Sequence, residues 1–267
     1  MNYECPICRK ALVLDNKQWR CEQRHCFDVA KEGYVNLLPV NKKRSLDPGD
    51  NQQMMTARRV FLDAGYYQPL SDRINALAKD LGLICPDILD VGCGEGYYSQ
   101  RLQSATNANL QGMDISKTAI RYAAKRYANL QFCVASAFDM PFADNSFDLL
   151  LKIFAPAAAT ELVRVCRPGG YYLSVTAGPM HHYALKEIIY DAPREHPLSE
   201  GKIPGFVLQH QERLQWMLHT PAGECSRSFL QMTPYLWKFT AEQIAQMEAL
   251  GVNCELDFCI ELFKRHI

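Results

Sequence analysis

An α/β fold with a mostly parallel, doubly wound sheet is predicted by three observations in the 267-residue chain. Between residues 88 and 175 short apolar runs alternate with segments of helical periodicity, the pattern of repeated strand–helix–strand crossovers. The run at 88–91 ends in Gly92, Gly94 and Gly96 and then turns helical. Glycine is needed at such a turn, because the backbone takes positive φ and comes within contact distance of a ligand. Asp114 stands at the tip of the next apolar run, where a carboxylate can accept both hydroxyls of a ribose. These features describe a Rossmann-like sheet with a ligand crevice at the strand carboxyl ends.

Composition removes several alternatives. With 29 basic and 29 acidic residues the formal charge is zero, so there is no global polyelectrolyte signal for nucleic acid. The charge is uneven, however: residues 1–60 hold 11 Lys and Arg against 7 Asp and Glu. No apolar run approaches bilayer length and residues 1–10 lack signal-peptide character, so a cytoplasmic protein without membrane contact is expected. Eleven cysteines, most of them inside apolar segments, fit reduced thiols better than a disulfide framework.

Four ligand types near the start of the chain are different. Cys5, Cys8, Cys21 and His25 follow a C-x2-C-x12-C-x3-H spacing, which gathers three thiolates and one imidazole around a tetrahedral ion. Four protein ligands leave no open position for chemistry, so Zn2+ here is structural. Cys26 adjoins His25 and is the alternative fourth ligand; the three-residue gap favours His25. A segment this small takes most of its folding free energy from the metal. Residues 1–37 are therefore expected to form a rigid zinc-binding module, and 38–68 a linker and helix. Lys42, Lys43 and Arg44 read on charge alone as a solvated linker, but beside a zinc module they become candidates for phosphate contact.

Helical spacing of Met54, Ala57, Arg58, Phe61 and Leu62 predicts a helix from residue 51 to near Gly65, and Leu70, Ile74, Leu77 and Leu81 predict a second over 69–81. A helix to about residue 104 follows the glycines. Strands are expected at 109–113, 130–134, 149–153 and 171–175, with helices at 117–127, which Ser116 starts, and at 158–166. The fully apolar run 149–153 suits a central parallel strand. From Ala177 the rhythm breaks. Residues 181–234 read as a substrate-side insertion or cap with a helix over 185–190, followed by a helix at 240–250 and a closing edge strand at 254–263. The domain built on the sheet is placed at 69–267.

Two ligands share an adenosine ribose, and the spacing separates them. Gly96 lies two residues after Gly94, so the dinucleotide pattern is absent. Asp90 at the start of the turn can face a sulfonium and an amine rather than a pyrophosphate. Pro141-Phe142, the Ser146-Phe147-Asp148 turn and Arg167-Pro168-Gly169-Gly170 match later landmarks of class I methyltransferases, so S-adenosyl-L-methionine is the expected cofactor. Candidate contacts from the motif are Asp90, Gly92, Gly94, Gly96 and Asp114.

The zinc spacing, D-V-A-K-E-G-Y-V-N-L-L-P at 28–39, K-R-S-L-D-P-G-D at 43–50, D-V-G-C-G-E-G-Y-Y at 90–98 and L-Q-M-T-P at 230–234 together resemble the 23S ribosomal RNA guanine-N1 methyltransferases of the RlmA type. The similarity runs over essentially the whole chain and is greater to the Gram-negative branch, which modifies guanine 745 in hairpin 35 of domain II. The resemblance implies zinc on Cys5, Cys8, Cys21 and His25, cofactor contacts from Tyr67, Gly94, Glu95 and His181, and a homodimer whose zinc modules grip the RNA hairpin. Where many methyltransferases place an acid for the adenine amino group this chain has Ser136, which leaves Ser136 or the backbone at Ala137 for that contact. The family's Arg-Ile-Tyr-Ala-Pro-Cys run reads Lys-Ile-Phe-Ala-Pro-Ala at 152–157, so a hydroxyl or thiol has no role there.

N1 of guanine must lose a proton when it attacks the sulfonium methyl. Lys152, Phe154 and His181 are candidates for the edge where this happens, and none is a carboxylate. Phe154, Tyr67 or Trp237 could stack on the exposed base. Two other readings remain: a small-molecule methyltransferase that uses zinc for dimerisation, and a non-catalytic RNA-binding protein on the same scaffold. Substitution of Cys8 is expected to damage RNA binding and leave cofactor affinity nearly unchanged.

Overall fold

The computed structural model describes residues 3–40 and 52–267; Lys42, Lys43 and Arg44 lie outside the described residues. Near the start of the chain, β1 (Val13–Asp15), β2 (Gln18–Arg20) and β3 (Cys26–Asp28) form a three-stranded antiparallel sheet. β4 (Val35–Asn36) then leaves that module and pairs parallel with the far edge of the main sheet.

The main sheet is built from β5 (Asp87–Val91), β6 (Asn109–Asp114), β7 (Gln131–Val134), β8 (Phe147–Ile153), β9 (Cys166–Ala177), β10 (Phe206–Thr220) and β11 (Val252–Arg265), together with β4. Its order is β10-β11-β9-β8-β5-β6-β7-β4, parallel from β9 to β4 and antiparallel at β11 and β10. The order reverses between β5 and β8, so the crevice at their carboxyl ends is where an open α/β sheet takes its ligand. The central strands are apolar on both faces, as a sheet covered on both sides requires: Ile88, Leu89, Leu150 and Leu151 are all fully buried.

One face is covered by α1 (Gln52–Asp63), α2 (Gln68–Asp80), α3 (Tyr97–Thr106) and α4 (Lys117–Arg126), joined by α6 (Tyr183–Ile189), α7 (Glu224–Met232) and α8 (Ala241–Leu250). Local chemistry sets the ends of these helices. Pro69 opens α2, the Ser116 hydroxyl accepts from the Ala119 N–H at 3.2 Å to cap α4, and Thr240 with Gln243 forms a reciprocal capping box on α8. The opposite face is covered by α5 (Ala159–Val165) and by the N-terminal module, whose Tyr3, Leu12 and Trp19 join Leu89, Val91 and Phe142 in one apolar cluster.

The structure corrects three expected boundaries. Residues 254–263 belong to β11, which is interior, lying between β9 and β10; the edge strand is β10. β10 falls within the stretch 181–234 expected as an insertion, and its polar residues conceal it because they pair with charged neighbours rather than packing on apolar ones. Arg73 binds Glu212, Arg213 binds Asp257, and Gln211 donates to Glu261 at 3.0 Å. The zinc module, expected as a domain of its own over residues 1–37, does not stand apart from the main sheet. It shares a core with the main sheet, and α1, the helix expected between the linker and the main domain, buries Phe61 fully against Phe229 of α7.

Candidate functional site: a cofactor cavity and a zinc centre

The reversal between β5 and β8 opens into a cavity of about 590 Å³. Asp90, at the end of β5, lies on its floor with 2 % of its surface exposed and accepts a 2.6 Å hydrogen bond from the Ser99 hydroxyl. Burial pushes its carboxyl up to about 7, with the Asp114 charge adding to the rise and Ser99 opposing it. A cation placed beside it would relieve that cost. Asp114, at the tip of β6, accepts from the backbone N–H of Gly94 at 3.0 Å and of Ser116 at 2.8 Å, which locks the glycine turn to the neighbouring strand.

Each glycine of the turn has its own reason. Gly94 takes φ +57, and an added Cβ would meet Arg58 only at 3.8 Å, so its backbone faces the open cavity. Gly96 packs its Cα against α4 and β7, where a Cβ would lie 3.1 Å from Tyr127 and 3.2 Å from Phe132. It does not line the cavity, which corrects its expected role as a cofactor contact. Gly92, Glu95, Ser136 and Ala137 do line it. The Glu95 side chain is drawn to the helices, with Oε2 at 3.1 Å from Arg59 Nε and 3.6 Å from Arg126 Nη1, so what it shows the cavity is mainly backbone.

Tyr67 and His181 both line the cavity, in different states from those a catalytic base or an exposed stacking ring needs. The Tyr67 ring is buried and its hydroxyl lies 3.3 Å from His182 Nε2. His181 Nδ1 accepts from the Asp257 N–H at 3.2 Å, so its ring proton is on Nε2. Burial lowers its pKa to about 3, with His196 adding to the effect. His181 is therefore a neutral donor and not a base. Phe154 stacks on His181 with ring centroids 5.6 Å apart, is 47 % exposed, and holds φ 53, an uncommon conformation for a bulky residue. Lys152 is excluded by position. Strand alternation puts it on the same face as Leu150 and Val91, away from Ile153 and the cavity lining, where burial lowers its pKa and Glu261 opposes the shift.

The sequence reading missed Arg58, Tyr98, Phe138, His182 and Tyr235, all of which line the cavity. Tyr98 is the most telling of these. Its hydroxyl is buried without a hydrogen-bond partner among the described residues, an arrangement that a polar ligand would complete. Its position directly after the glycine turn, on the first turn of α3, was the available signal. His182 has φ 58 and comes from a segment without regular pattern, so no periodicity marked it.

The expected metal ligands converge. Single donor atoms of Cys5, Cys8, Cys21 and His25 all lie within 4.8 Å of one another. Zinc–sulfur and zinc–nitrogen bonds of ordinary length imply tetrahedral edges of about 3.8 Å between sulfurs and about 3.6 Å from sulfur to nitrogen. Cys8 Sγ and Cys21 Sγ are 3.7 Å apart, and His25 Nδ1 is 3.4 Å from the sulfurs of both Cys5 and Cys21. The set fits Zn2+. Cys26 is exposed, begins β3 and turns its thiol to the Arg24 carbonyl at 3.3 Å, so it is not part of the cluster. The cavity passes a similar test for S-adenosylmethionine, with two carboxyls at adjacent strand tips, an open glycine backbone and an unpartnered hydroxyl.

Comparison with known proteins agrees with both sites. A family model described as "RlmA, N-terminal", a zinc ribbon, matches residues 3–46, and one described as "Methyltransferase domain" matches residues 87–222. A protein of Streptomyces fradiae named 23S rRNA (guanine(748)-N(1))-methyltransferase is 34 % identical over 91 % of this chain and 88 % of its own length. A Bacillus subtilis (strain 168) protein whose name provisionally assigns it 23S rRNA (guanine-N(1)-)-methyltransferase activity is 28 % identical over 97 % of this chain and 96 % of its own. Among solved structures, the YcgJ protein of Bacillus subtilis shares the fold with a TM-score of 0.50 and 18 % identity, covering 72 % of this chain and 97 % of that one.

Proposed function

The chain belongs to the family of 23S rRNA (guanine-N1)-methyltransferases, and on that footing we propose that it methylates N1 of a guanine in hairpin 35 of domain II, using S-adenosylmethionine. The structural observation that carries the reading is Phe154. A half-exposed, strained aromatic at the mouth of the cavity whose floor holds Asp90 is what a flipped base needs for stacking beside a sulfonium donor.

S-adenosylmethionine supplies a methyl group already activated on sulfur, so the protein chiefly positions the reactants and excludes water. Asp90 would balance the cationic methionine end and Tyr98 hydrogen-bond to it. Asp114 would receive the ribose hydroxyls, and Ser136 with the Ala137 backbone the adenine. Gly92, Gly94 and the backbone of Glu95 would form the cradle, with Tyr67 and His181 as its walls. Tyr67 is too buried to stack on the base, which leaves Phe154 and the 75 % exposed Trp237 for that task. Since His181 is neutral with Nδ1 engaged and Lys152 faces the other side of the sheet, the N1 proton goes to water, and the rate should rise with pH towards the N1 pKa.

The zinc ribbon held by Cys5, Cys8, Cys21 and His25 is the proposed RNA grip, assisted by Lys42, Lys43 and Arg44, in a cytoplasmic homodimer. No helix among the described residues is long and apolar enough to cross a membrane. Primer extension on 23S rRNA from a strain lacking this protein tests the target. N1 methylation blocks base pairing, so a reverse-transcriptase stop should vanish at guanine 745 in the deletion strain and return with the intact gene. An unchanged hairpin 35 in the two strains would sink the assignment, and a stop that moves with the gene at guanine 748 would move the target.

A further inference from the structure

The zinc ribbon stands where a sheet of this kind usually places a crossover helix. The β7–β8 connection, residues 135–146, contains no helix, and the ribbon packs over it: Tyr3 lies 5.4 Å from Phe142 between ring centroids, and the Glu4 N–H donates to the Pro141 carbonyl at 3.0 Å. Arg9, next to the ligand Cys8, donates from Nη1 to the Met140 carbonyl at 3.1 Å and forms an ion pair with Asp139. Asp139 closes a tight turn, its N–H donating to the Ser136 carbonyl at 3.1 Å while the Phe138 N–H donates to Ser136 Oγ at 3.2 Å. Ser136, Ala137 and Phe138 are the wall of the cavity beyond Asp114, on the side where adenine would lie.

The main domain also holds this connection, at the turn itself through the Ala158 N–H, which donates to the Ala137 carbonyl at 3.2 Å, and again one step further along. Arg164 donates to the carbonyls of Met140 at 2.8 Å and Phe142 at 2.6 Å, and Glu161 accepts from the Met140 N–H at 2.6 Å. Ala158 thus holds the middle of the turn by its backbone, and Arg9 holds its last residue through the Asp139 side chain.

We infer that Arg9 is a positioning residue for the cofactor: through Asp139 it sets the 136–139 turn, so the folded zinc ribbon is a condition of tight cofactor binding as well as of RNA recognition. The inference rests on the cavity being the S-adenosylmethionine site. It reverses the expectation that damage to the ribbon spares cofactor affinity. The mechanism is a population effect, because a wall that spends part of its time out of place lowers apparent affinity by the fraction that remains in place.

Calorimetric titration of S-adenosylmethionine into the zinc-loaded full-length protein tests it, with Arg9→Ala and Arg9→Lys alongside. The expected result is a dissociation constant about 3- to 10-fold weaker for Arg9→Ala, partial recovery in Arg9→Lys, and an unchanged melting temperature without cofactor. Affinity of Arg9→Ala equal to that of the unmodified protein would overturn the inference and leave the cofactor site standing. A loss matched by a lower melting temperature would assign Arg9 to folding and overturn its positioning role. Failure of the unmodified protein to bind would remove the cofactor site itself, and the inference with it.

Discussion

At the scale of single residues, the site depends on how burial sets protonation. Burial out of water pushes the Asp90 carboxyl up to about 7. A carboxyl raised in the folded state stabilises the fold most below its unfolded pKa, and that contribution is lost as pH rises through about 7. Binding a sulfonium reverses the balance, since the cation favours the ionised form. Affinity for S-adenosylmethionine should therefore fall as pH drops from 8 to 6, by about tenfold for each unit below the pKa. Asp90→Asn should bind more weakly at pH 8 and lose the pH dependence; titrations at three pH values check both. An equally steep dependence in Asp90→Asn would place the titrating group elsewhere. For His181, imidazole nitrogen NMR shifts should show one neutral Nε2–H tautomer from pH 5 to 8, because its pKa is lowered to about 3. Asp90, Gly94 and Asp114 could be read from the sequence because a strand tip and its turn are local objects. Tyr98 adjoins that turn and was within reach of the same reasoning, whereas the unusual φ that marks His182 is not visible without coordinates.

At the scale of elements, the zinc ribbon and β10 show what the sequence pattern could not convey. The ribbon's ligand spacing was plain, but its packing was not, because Tyr3, Leu12 and Trp19 form no periodic face and bury themselves against Leu89, Val91 and Phe142, which are distant in the chain. Tyr3→Ala should destabilise the methyltransferase domain by about 3–5 kcal/mol, read by urea unfolding monitored on the main sheet. A zinc-specific chelator should raise amide exchange at residues 35–38 and 139–142 before it does so in β5 or β8. Exchange confined to the ribbon would contradict the shared core. β10 escaped notice for another reason: His210 and Glu212 interrupt the apolar side of an otherwise alternating strand, and Glu212 is satisfied there by Arg73. β11 was legible as a strand, and its interior place followed only once β10 was seen beside it.

At the scale of the whole molecule, the parallel sheet, its ligand edge and the metal centre were legible because each follows from spacing along the chain. The joining of the two parts was not, because it depends on contacts between distant segments. The zinc ribbon fills the face left open by the helix-free connection 135–146 and so borders the cofactor cavity from outside. The zinc ribbon and the cavity thus meet in one connected body. The most direct measurement is nucleoside mass spectrometry on unmodified 23S rRNA incubated with the purified protein and methyl-labelled S-adenosylmethionine. The expected result is one labelled species, 1-methylguanosine, lost when the RNA is omitted. Label in a different methylguanosine, or in no nucleoside while the cofactor binds normally, would contradict it.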